Sequence, residues 1–397
     1  MSNAGIQVLV TDRNLNAIGD PLTGWTRIDA TLRWREPGSG TITLPARPET
    51  MELLAAGHRL EIIKDGRYLT GGPMERPMAP YQRSIPGDEG GGEAPPGTVE
   101  VAWADDLVHL EWRRVYPNPA LPVDSQDVSH YEATGNAEQV MRQLVDLNAG
   151  PNALPGRQVP ALALGDLAGV GTNISVRARF SSLLAELQSA AINGGELGFR
   201  VRRAAGQLLF EVYQPRDLTA AARYSWDLGN LRSITVEQAS PSLTHAIVGG
   251  QGEGSFREIV EVADAVAASR WWRIESWVDS RHEDAYEGLV QSGHEALIEG
   301  GESVQVSAVT VDTPDLTFGR DVDLGDRVTI AYLPGVEVSQ IVRQAHIQIT
   351  PNAGTHTTVL IGSQQATTDP AWVQITRRIQ RRLTALETGT DVPAPSS

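Results

Sequence analysis

Carboxylate pairs come closest to a catalytic pattern in this sequence of 397 residues. Glycoside hydrolysis uses two carboxyl groups roughly 5–10 Å apart, and the candidates are Asp105-Asp106 and the group Asp321, Asp323 and Asp326. Adjacent residues on a strand point to opposite faces, which argues against Asp105 and Asp106 as a working pair. We interpret both groups as solvated loop charges and predict no catalytic residue.

Three other motifs raise the question of a metal or a nucleotide. His294-Glu295 lies in a helical segment, but residue 298 is Ile, so the zinc motif H-E-x-x-H is absent. His282-Glu283-Asp284 stands where that helix starts, which favours capping and an interaction with the helix dipole. The glycine-rich Gly249–Gly254 lacks the Lys and Ser/Thr of a P-loop and is typical of a hairpin loop. We therefore predict no metal and no cofactor.

Three tryptophans, Trp271, Trp272 and Trp277, could in principle form a platform for a sugar ring. One strand is predicted over 271–277, and its alternation puts Trp271 and Trp277 on one face and Trp272 on the other. Large aromatic side chains are also common in cores and in subunit interfaces. We favour core and interface contacts for these residues over carbohydrate binding.

Composition limits the kinds of partner. Apolar residues make up 41% of the chain, which allows packed cores and excludes a disordered protein. The absence of cysteine excludes disulfide frameworks and thiolate metal sites. A formal net charge of −16 makes the chain a poor generic DNA binder. With neither a signal peptide nor a run of about 18 apolar residues, we expect a protein made in the cytoplasm without a membrane span.

Residues 1–115 predict one small β domain of the barrel or sandwich type. Its strands are predicted at 6–10, 29–34, 41–44, 59–63, 67–70 and 98–103. The turn Asp65-Gly66 is a strong hairpin signal because its type needs positive φ. The Pro-, Gly- and Glu-rich stretch Ser84–Gly97 predicts a long exposed loop.

Residues 116–230 predict a helical connector and an α+β insertion. Apolar spacing predicts a helix over 136–147. Ser181 is expected to cap a second helix, which Asn193–Gly195 should end. A hairpin is expected around Ala205-Gly206.

Residues 231–368 predict a second barrel-like β domain with one helix, over Asp284–Glu299. Its strands are predicted at 233–236, 246–249, 257–262, 271–277, 304–311, 327–333, 340–350 and 356–361. The predicted fold class is therefore β-rich α+β, with two barrel-like domains, an α+β insertion and a C-terminal helix.

Residues 369–397 predict that helix and a polar tail. Asp369-Pro370 is a good helix start. Its apolar stripe consists of Trp372, Ile375, Ile379, Leu383 and Leu386, and its other side carries Arg377, Arg378, Arg381 and Arg382. The stripe is a candidate oligomer seam; packing back on its own domain is the alternative.

Four stretches of the sequence follow one another in an order that resembles a known family. They are Trp34–Ala46 with its Leu44-Pro45 end, Gly57–Pro73 with its Asp-Gly turn, a long helix followed by Val304–Val306, and the Leu-Gly-Asp-x-Val pattern of Asp323–Ile330. This order resembles the tail-hub or minor tail proteins of long-tailed siphophages. Those proteins are related to the baseplate hubs of contractile phages and to the amino-terminal part of tail-associated proteins. The resemblance extends over most of the chain.

The resemblance implies a structural protein of the virion tail tip and no enzyme. Two barrel-like domains would alternate around a ring, so that a homotrimer offers six quasi-equivalent positions to the tail tube. The implied partners are a distal tail protein, a tape-measure protein and fibre or receptor-binding proteins, with genome DNA passing through the lumen without specific binding. A carbohydrate-binding or wall-degrading tail-tip protein is the alternative, and a stand-alone bacterial β-rich enzyme is a third hypothesis.

Overall fold

A computed structural model describes residues 5–75, 97–281, 286–301 and 303–362. They form two compact units, one made of the residues up to 233 together with 308–362, the other made of 234–307. Within these ranges, no helix is long and apolar enough to cross a bilayer.

The structure is rich in strands and contains few helices. The strands are β1 Ile6–Thr11, β2 Arg27–Arg33, β3 Ser39–Pro45, β4 Arg59–Lys64, β5 Arg67–Pro73, β6 Thr98–Ala104, β7 Tyr131–Asn136, β8 Leu162–Leu164, β9 Asn173–Ala178, β10 Gly198–Ala204, β11 Gln207–Tyr213, β12 Arg223–Ser225, β13 Leu231–Ala239, β14 His245–Gly249, β15 Ile259–Ala263, β16 Glu275–Asp279, β17 Ser303–Val311, β18 Arg327–Leu333, β19 Val336–Thr350 and β20 Gly354–Gly362. The α-helices are α1 Pro48–Leu53, α2 Val108–Glu111, α3 Ala137–Asn148, α4 Leu183–Asn193, α5 Ala265–Arg270 and α6 Tyr286–Glu299.

In the larger unit, two sheets enclose one hydrophobic core, and we call this part the β body. β1, β4 and β5 form an antiparallel sheet, whereas β2, β3 and β6 belong to a longer one. Side chains alternate between faces, so that Ile42 and Leu44 of β3 are fully buried. Asp65 and Gly66 both have positive φ between β4 and β5, which confirms the predicted turn.

β19 brings the end of the described chain to its beginning. It runs antiparallel to β2, with Ile347 opposite Ala30 and Ile349 opposite Ile28. The same strand pairs with β18 and β20. Strands predicted for two separate β domains therefore share one sheet and one core. The two compact units do not coincide with the four consecutive segments predicted from the sequence.

The insertion contains the two predicted helices packed on each other. Asn136 caps α3, because its side chain accepts the N–H groups of Glu138 and Gln139. The predicted hairpin around Ala205-Gly206 is confirmed as β10 and β11.

The predicted cap of the second helix is wrong by one residue. Ser182 occupies the N-cap position of α4, and its side chain accepts no capping hydrogen bond. The carbonyl of Ser181 instead accepts the N–H of Val115, which holds Ser181 in extended pairing before the helix begins. Gly194 ends α4, as predicted.

Polar contacts attach the insertion to the β body. Arg203 on β10 donates through Nε to Oε1 of Glu61 on β4 at 2.8 Å. Arg35, just after β2, donates through Nε to the carbonyl of Leu197 at 2.6 Å. Glu61 and Arg35 are both buried, so these contacts fix the insertion in one orientation.

The smaller unit is a three-stranded sheet with α6 on one face. β14 is central, antiparallel to β15 and parallel to β16. Gly293 allows α6 to lie close to the sheet, since a Cβ there would come within 2.4 Å of Cγ2 of Val262. The buried apolar residues of this core are Leu243, Ala246, Val248, Val260, Val262 and Leu289.

The strand predicted over 271–277 is shorter than expected, beginning only at Glu275. Residues 265–270, just before the predicted strand, form α5, and Asp264 caps this helix by accepting the N–H of Ala267. Trp271 is the residue that ends this helix. Trp271 and Trp272 therefore do not alternate with Trp277 on a strand.

Candidate interaction surfaces

Asp105 and Asp106 are structural residues of the β body, and the prediction that they are solvated is wrong. Both carboxylate oxygens of Asp106 accept hydrogen bonds from Nη2 of Arg59, at 2.6 and 2.7 Å. Both partners of this pair are buried. Asp105 accepts the N–H groups of Gly38 at 2.7 Å and Leu107 at 3.0 Å.

Burial raises the pKa of both neighbouring carboxyl groups, Asp105 and Asp106. It raises the pKa of Asp105 to about 6, although the two N–H groups that it accepts oppose the rise. It raises the pKa of Asp106 to about 7, against the opposing charge of Arg59. Raised carboxyl pKa values are also found in general acids. Here both oxygens of Asp106 accept hydrogen bonds from Arg59 and are inaccessible. The ion pair of Arg59 and Asp106 therefore stabilises the fold.

Of the second set of acidic residues, Asp321, Asp323 and Asp326, one is buried and two are at least partly exposed. Asp326 is buried, contrary to the prediction, and its carboxylate accepts the backbone N–H groups of Arg216 at 3.0 Å and Asp323 at 2.8 Å. Asp323 itself is exposed, and Asp321 is partly exposed. No group of three His, Cys, Asp or Glu suited to a metal occurs in the part of the chain that the structure describes.

An apolar patch lies at one end of the β body. β12 runs parallel to β18, with Ser225 opposite Ala331, and Nε1 of Trp226 donates to the carbonyl of Tyr332 at 3.2 Å. Trp226 stays 49% exposed although its polar atom is satisfied. The exposed large apolar residues of this region are Trp226, Leu228, Leu333 and Val336, which we call the end patch.

Sequence reasoning missed the end patch. Trp226 and Leu228 lie within the tight turn 226–229, and Leu333 and Val336 flank the tight turn Pro334-Gly335. Large apolar side chains in and next to turns were the available signal, because turns are usually polar and solvated.

The second surface is the face of the small sheet that α6 does not cover. Residues opposite each other on paired strands point to the same face. On this side lie His245, Ile247, Gly249, Ile259, Glu261, Ala263, Glu275, Trp277 and Asp279, which together we call the open face. Ile259 is 57% exposed and Trp277 is 42% exposed.

Trp277 lies across the open face because Gly249 leaves room for its ring. A Cβ on Gly249 would come within 2.4 Å of Cζ2 of Trp277. The guanidinium of Arg257 lies 5.0 Å from the centre of the Trp277 ring, within cation–π range. Arg257 is itself held by an ion pair with Asp279 and by the carbonyl of Gly249 at 3.0 Å. The indole is therefore fixed in position with one side accessible.

Charged groups flank this aromatic residue. Arg273 donates to Glu275 at 2.6 Å and to Glu261 at 3.1 Å. These two hydrogen bonds raise the pKa of Arg273, the bond to Glu261 most. All three side chains remain about half exposed.

The predicted aromatic residues thus have different surroundings. Trp277 belongs to the open face, and Trp272, which is 79% exposed, lies in the link before β16. Their role as interface residues stays a prediction. Phe256, in the loop between β14 and β15, is 92% exposed and was not singled out from the sequence. The candidate seam residues Trp372, Ile375, Ile379, Leu383 and Leu386 lie outside the described residues.

Fold comparison shows that this β-rich fold is also found in phage tail proteins. The 43 kDa tail protein of prophage MuSo2 from Shewanella oneidensis aligns with a TM-score of 0.53 at 12% identity, over 89% of this chain and 97% of that chain. The tail protein from Neisseria meningitidis MC58 aligns with a TM-score of 0.50 at 14% identity, over 91% and 97%.

The particular family follows from the sequence. The family model of Siphovirus ReqiPepy6 Gp37-like proteins matches residues 6–363, and the chain belongs to this family. The resemblance to siphophage tail proteins is thereby confirmed. No curated protein sequence matches the chain.

Proposed function

We propose that this chain is a tail hub, a structural protein of the phage tail tip that acts by assembly. Copies would form a ring, as a homotrimer of barrel-like domains, that closes or adapts the tail tube and anchors receptor-binding parts. A distal tail protein, a tape-measure protein and fibre proteins would be its neighbours in the virion.

The observation that carries this proposal is the end patch. An exposed group of large apolar side chains is typical of a protein–protein contact. Trp226 supplies the rigid aromatic anchor that is common at the energetic centre of interfaces. Family membership and the fold of tail proteins support assembly within a tail rather than with another kind of partner.

The test is the mass of the full chain in solution, measured by light scattering at rising protein concentration. We expect the wild type to form a trimer and Trp226→Glu with Leu333→Glu to remain a monomer, because a buried unpaired charge opposes association. The matched control is Ile192→Glu, which changes an equally exposed residue at the end of α4. It should assemble like the wild type.

Two outcomes would contradict the proposal. If the double variant assembles like the wild type, the end patch is not the contact between copies. A wild type that stays monomeric and binds none of its tail neighbours would overturn the hub function itself. Binding of saccharides by that monomer, lost in Trp277→Ala, would favour the carbohydrate-binding alternative.

A further inference from the structure

The open face places one aromatic ring beside a fixed frame of polar side chains. Ile247 of β14 lies at its centre, opposite Glu261 of β15 and Trp277 of β16. Arg273 donates to Glu275 on one edge strand and to Glu261 on the other, so its guanidinium lies over the central strand β14. Trp277 and this arginine bridge therefore border an accessible area of the sheet around Ile247.

The charges of the open face are balanced within the smaller unit. Its carboxylates are those of Glu261, Glu275 and Asp279. All of them are paired with arginines, which are Arg257, Arg273 and Arg281. The face thus offers no net charge to a ligand, although each carboxylate keeps lone pairs that can accept further hydrogen bonds. This combination favours a neutral ligand that is rich in hydroxyl groups.

Trp277 supplies the apolar part of this surface. The cation–π contact with Arg257 and the space above Gly249 fix the indole in place, yet Trp277 remains 42% exposed. The face of an aromatic ring is electron-rich and attracts polarised C–H groups. A pyranose carries such C–H groups on one side and hydroxyl groups around its edge. A sugar ring that stacks on Trp277 would therefore direct its hydroxyls towards the surrounding carboxylates and guanidinium groups.

A protein partner fits the open face less well than a saccharide does. A protein would remove water from the three carboxylates and their three arginine partners, which is costly even for paired charges. A saccharide leaves most of this water in place and replaces the rest with hydroxyl groups that form hydrogen bonds. Arg273, Glu261 and Glu275 are about half exposed, which suits such a hydrated contact.

We propose that the open face is a binding site for a neutral saccharide. Trp277 is the stacking platform, and Glu261, Glu275 and Arg273 form hydrogen bonds with the hydroxyl groups. A site that is already ordered loses less entropy on binding, and here the indole and the arginine bridge are in place without a ligand. The proposal does not rest on the hub function, because the open face and the end patch share no residue.

Fluorine NMR of the full chain tests the proposal directly. The chain contains nine tryptophans, and incorporation of 5-fluorotryptophan gives each of them a resonance. Trp277→Phe and Trp272→Phe assign the two resonances that matter. The probes are the methyl glycosides of glucose, galactose, mannose and N-acetylglucosamine, and at least one of them should shift the Trp277 resonance to a plateau. The resonance of Trp272, which is 79% exposed, should not move and controls for a general effect of the solvent.

Variants of the open face supply the second measurement, by saturation transfer from the protein to the bound methyl glycoside. Trp277→Ala should weaken binding about tenfold or more, as expected for the loss of an aromatic anchor. Gly249→Ala keeps the indole but displaces it, since a Cβ would come within 2.4 Å of Cζ2 of Trp277, and should also weaken binding. Trp272→Ala should bind like the wild type. Unchanged resonances of the remaining tryptophans show that each variant is folded.

Several outcomes would overturn the proposal. They are a Trp277 resonance that none of the glycosides moves, equal shifts at Trp272 and Trp277, and unchanged binding by Trp277→Ala. A Trp277 resonance that responds only to glucosamine or glucuronate would overturn the neutral class of ligand. A shift of this resonance with rising protein concentration alone would make the open face a contact between copies, which would also overturn the proposal.

Discussion

Two clusters of arginine and carboxylate, one in each unit, use the same chemistry in opposite surroundings. Arg59 and Asp106 lie inside the β body, almost without solvent contact. Arg273, Glu261 and Glu275 lie on the small sheet and are about half exposed. An exposed ion pair contributes little because water already solvates its charges. A buried pair is costly to break because the remaining charge has neither water nor a partner. Burial, and not the number of ion pairs, should therefore decide which cluster the fold depends on.

The largest effect is expected at the buried cluster. Arg59→Met leaves Asp106 buried without its cation, so at alkaline pH this carboxyl must either keep an unpaired charge or take up a proton, which should lower the free energy of unfolding by about 3–5 kcal/mol. Guanidinium denaturation measures this loss. Adding Asp106→Leu should recover much of it, since the unpaired charge is then gone. A loss below about 1 kcal/mol for Arg59→Met would mean that the buried ion pair contributes no more to stability than an exposed one, which would contradict the prediction.

The next effect depends on pH. Asp105 has a folded-state pKa of about 6 against an ordinary value of 3.8, so the native protein holds a proton that the unfolded chain has lost between these values. Stability conferred by this proton is present below pH 3.8 and is lost as the pH rises through 6. Relative to the wild type, Asp105→Asn should therefore gain up to about 3 kcal/mol between pH 4 and pH 7.

Urea unfolding of both proteins at several pH values measures the effect of Asp105→Asn. Asp323→Asn changes an exposed carboxylate and serves as the control, with little change in the pH dependence. Parallel pH profiles for Asp105→Asn and the wild type would contradict the effect assigned to burial.

The smallest effect is expected at the exposed cluster. Arg273→Ala removes the cation between Glu261 and Glu275, both of which keep their contact with water. The denaturation midpoint should not move measurably at physiological salt, because solvent screening already weakens both pairs. A clear destabilisation by Arg273→Ala would break the contrast between the two clusters.

Local features of this fold could be predicted from the sequence, because they depend on neighbouring residues. The turns at Asp65-Gly66 and Ala205-Gly206 need positive φ, and the structure has it at all four residues. Gly194 likewise follows the last residue of α4. Propensity at a turn or a helix end involves few residues, so the sequence contains the necessary information.

Long-range partners could not be predicted in the same way. Asp106 meets Arg59 across 47 residues, and Asp29 meets Gln348 across 319 residues. Alternation along a strand indicates which face is buried but not which distant strand lies beside it. For that reason the sequence suggested solvated acids at Asp105 and Asp106, and two separate β domains where one shared sheet exists. The end patch was missed for the same reason, since β12 and β18 are distant in sequence.

The pairing of β19 with β2 also determines when the sheet of the β body can be completed during translation. β2 is translated roughly three hundred residues before its partner, and ribosomes add about 5–20 residues per second. The growing polypeptide thus carries an incomplete sheet for tens of seconds. During this time the apolar side of β2 is not yet covered by Ile347 and Ile349. Pairings so distant in sequence are slow to form. The β body can therefore mature only once translation has passed residue 349.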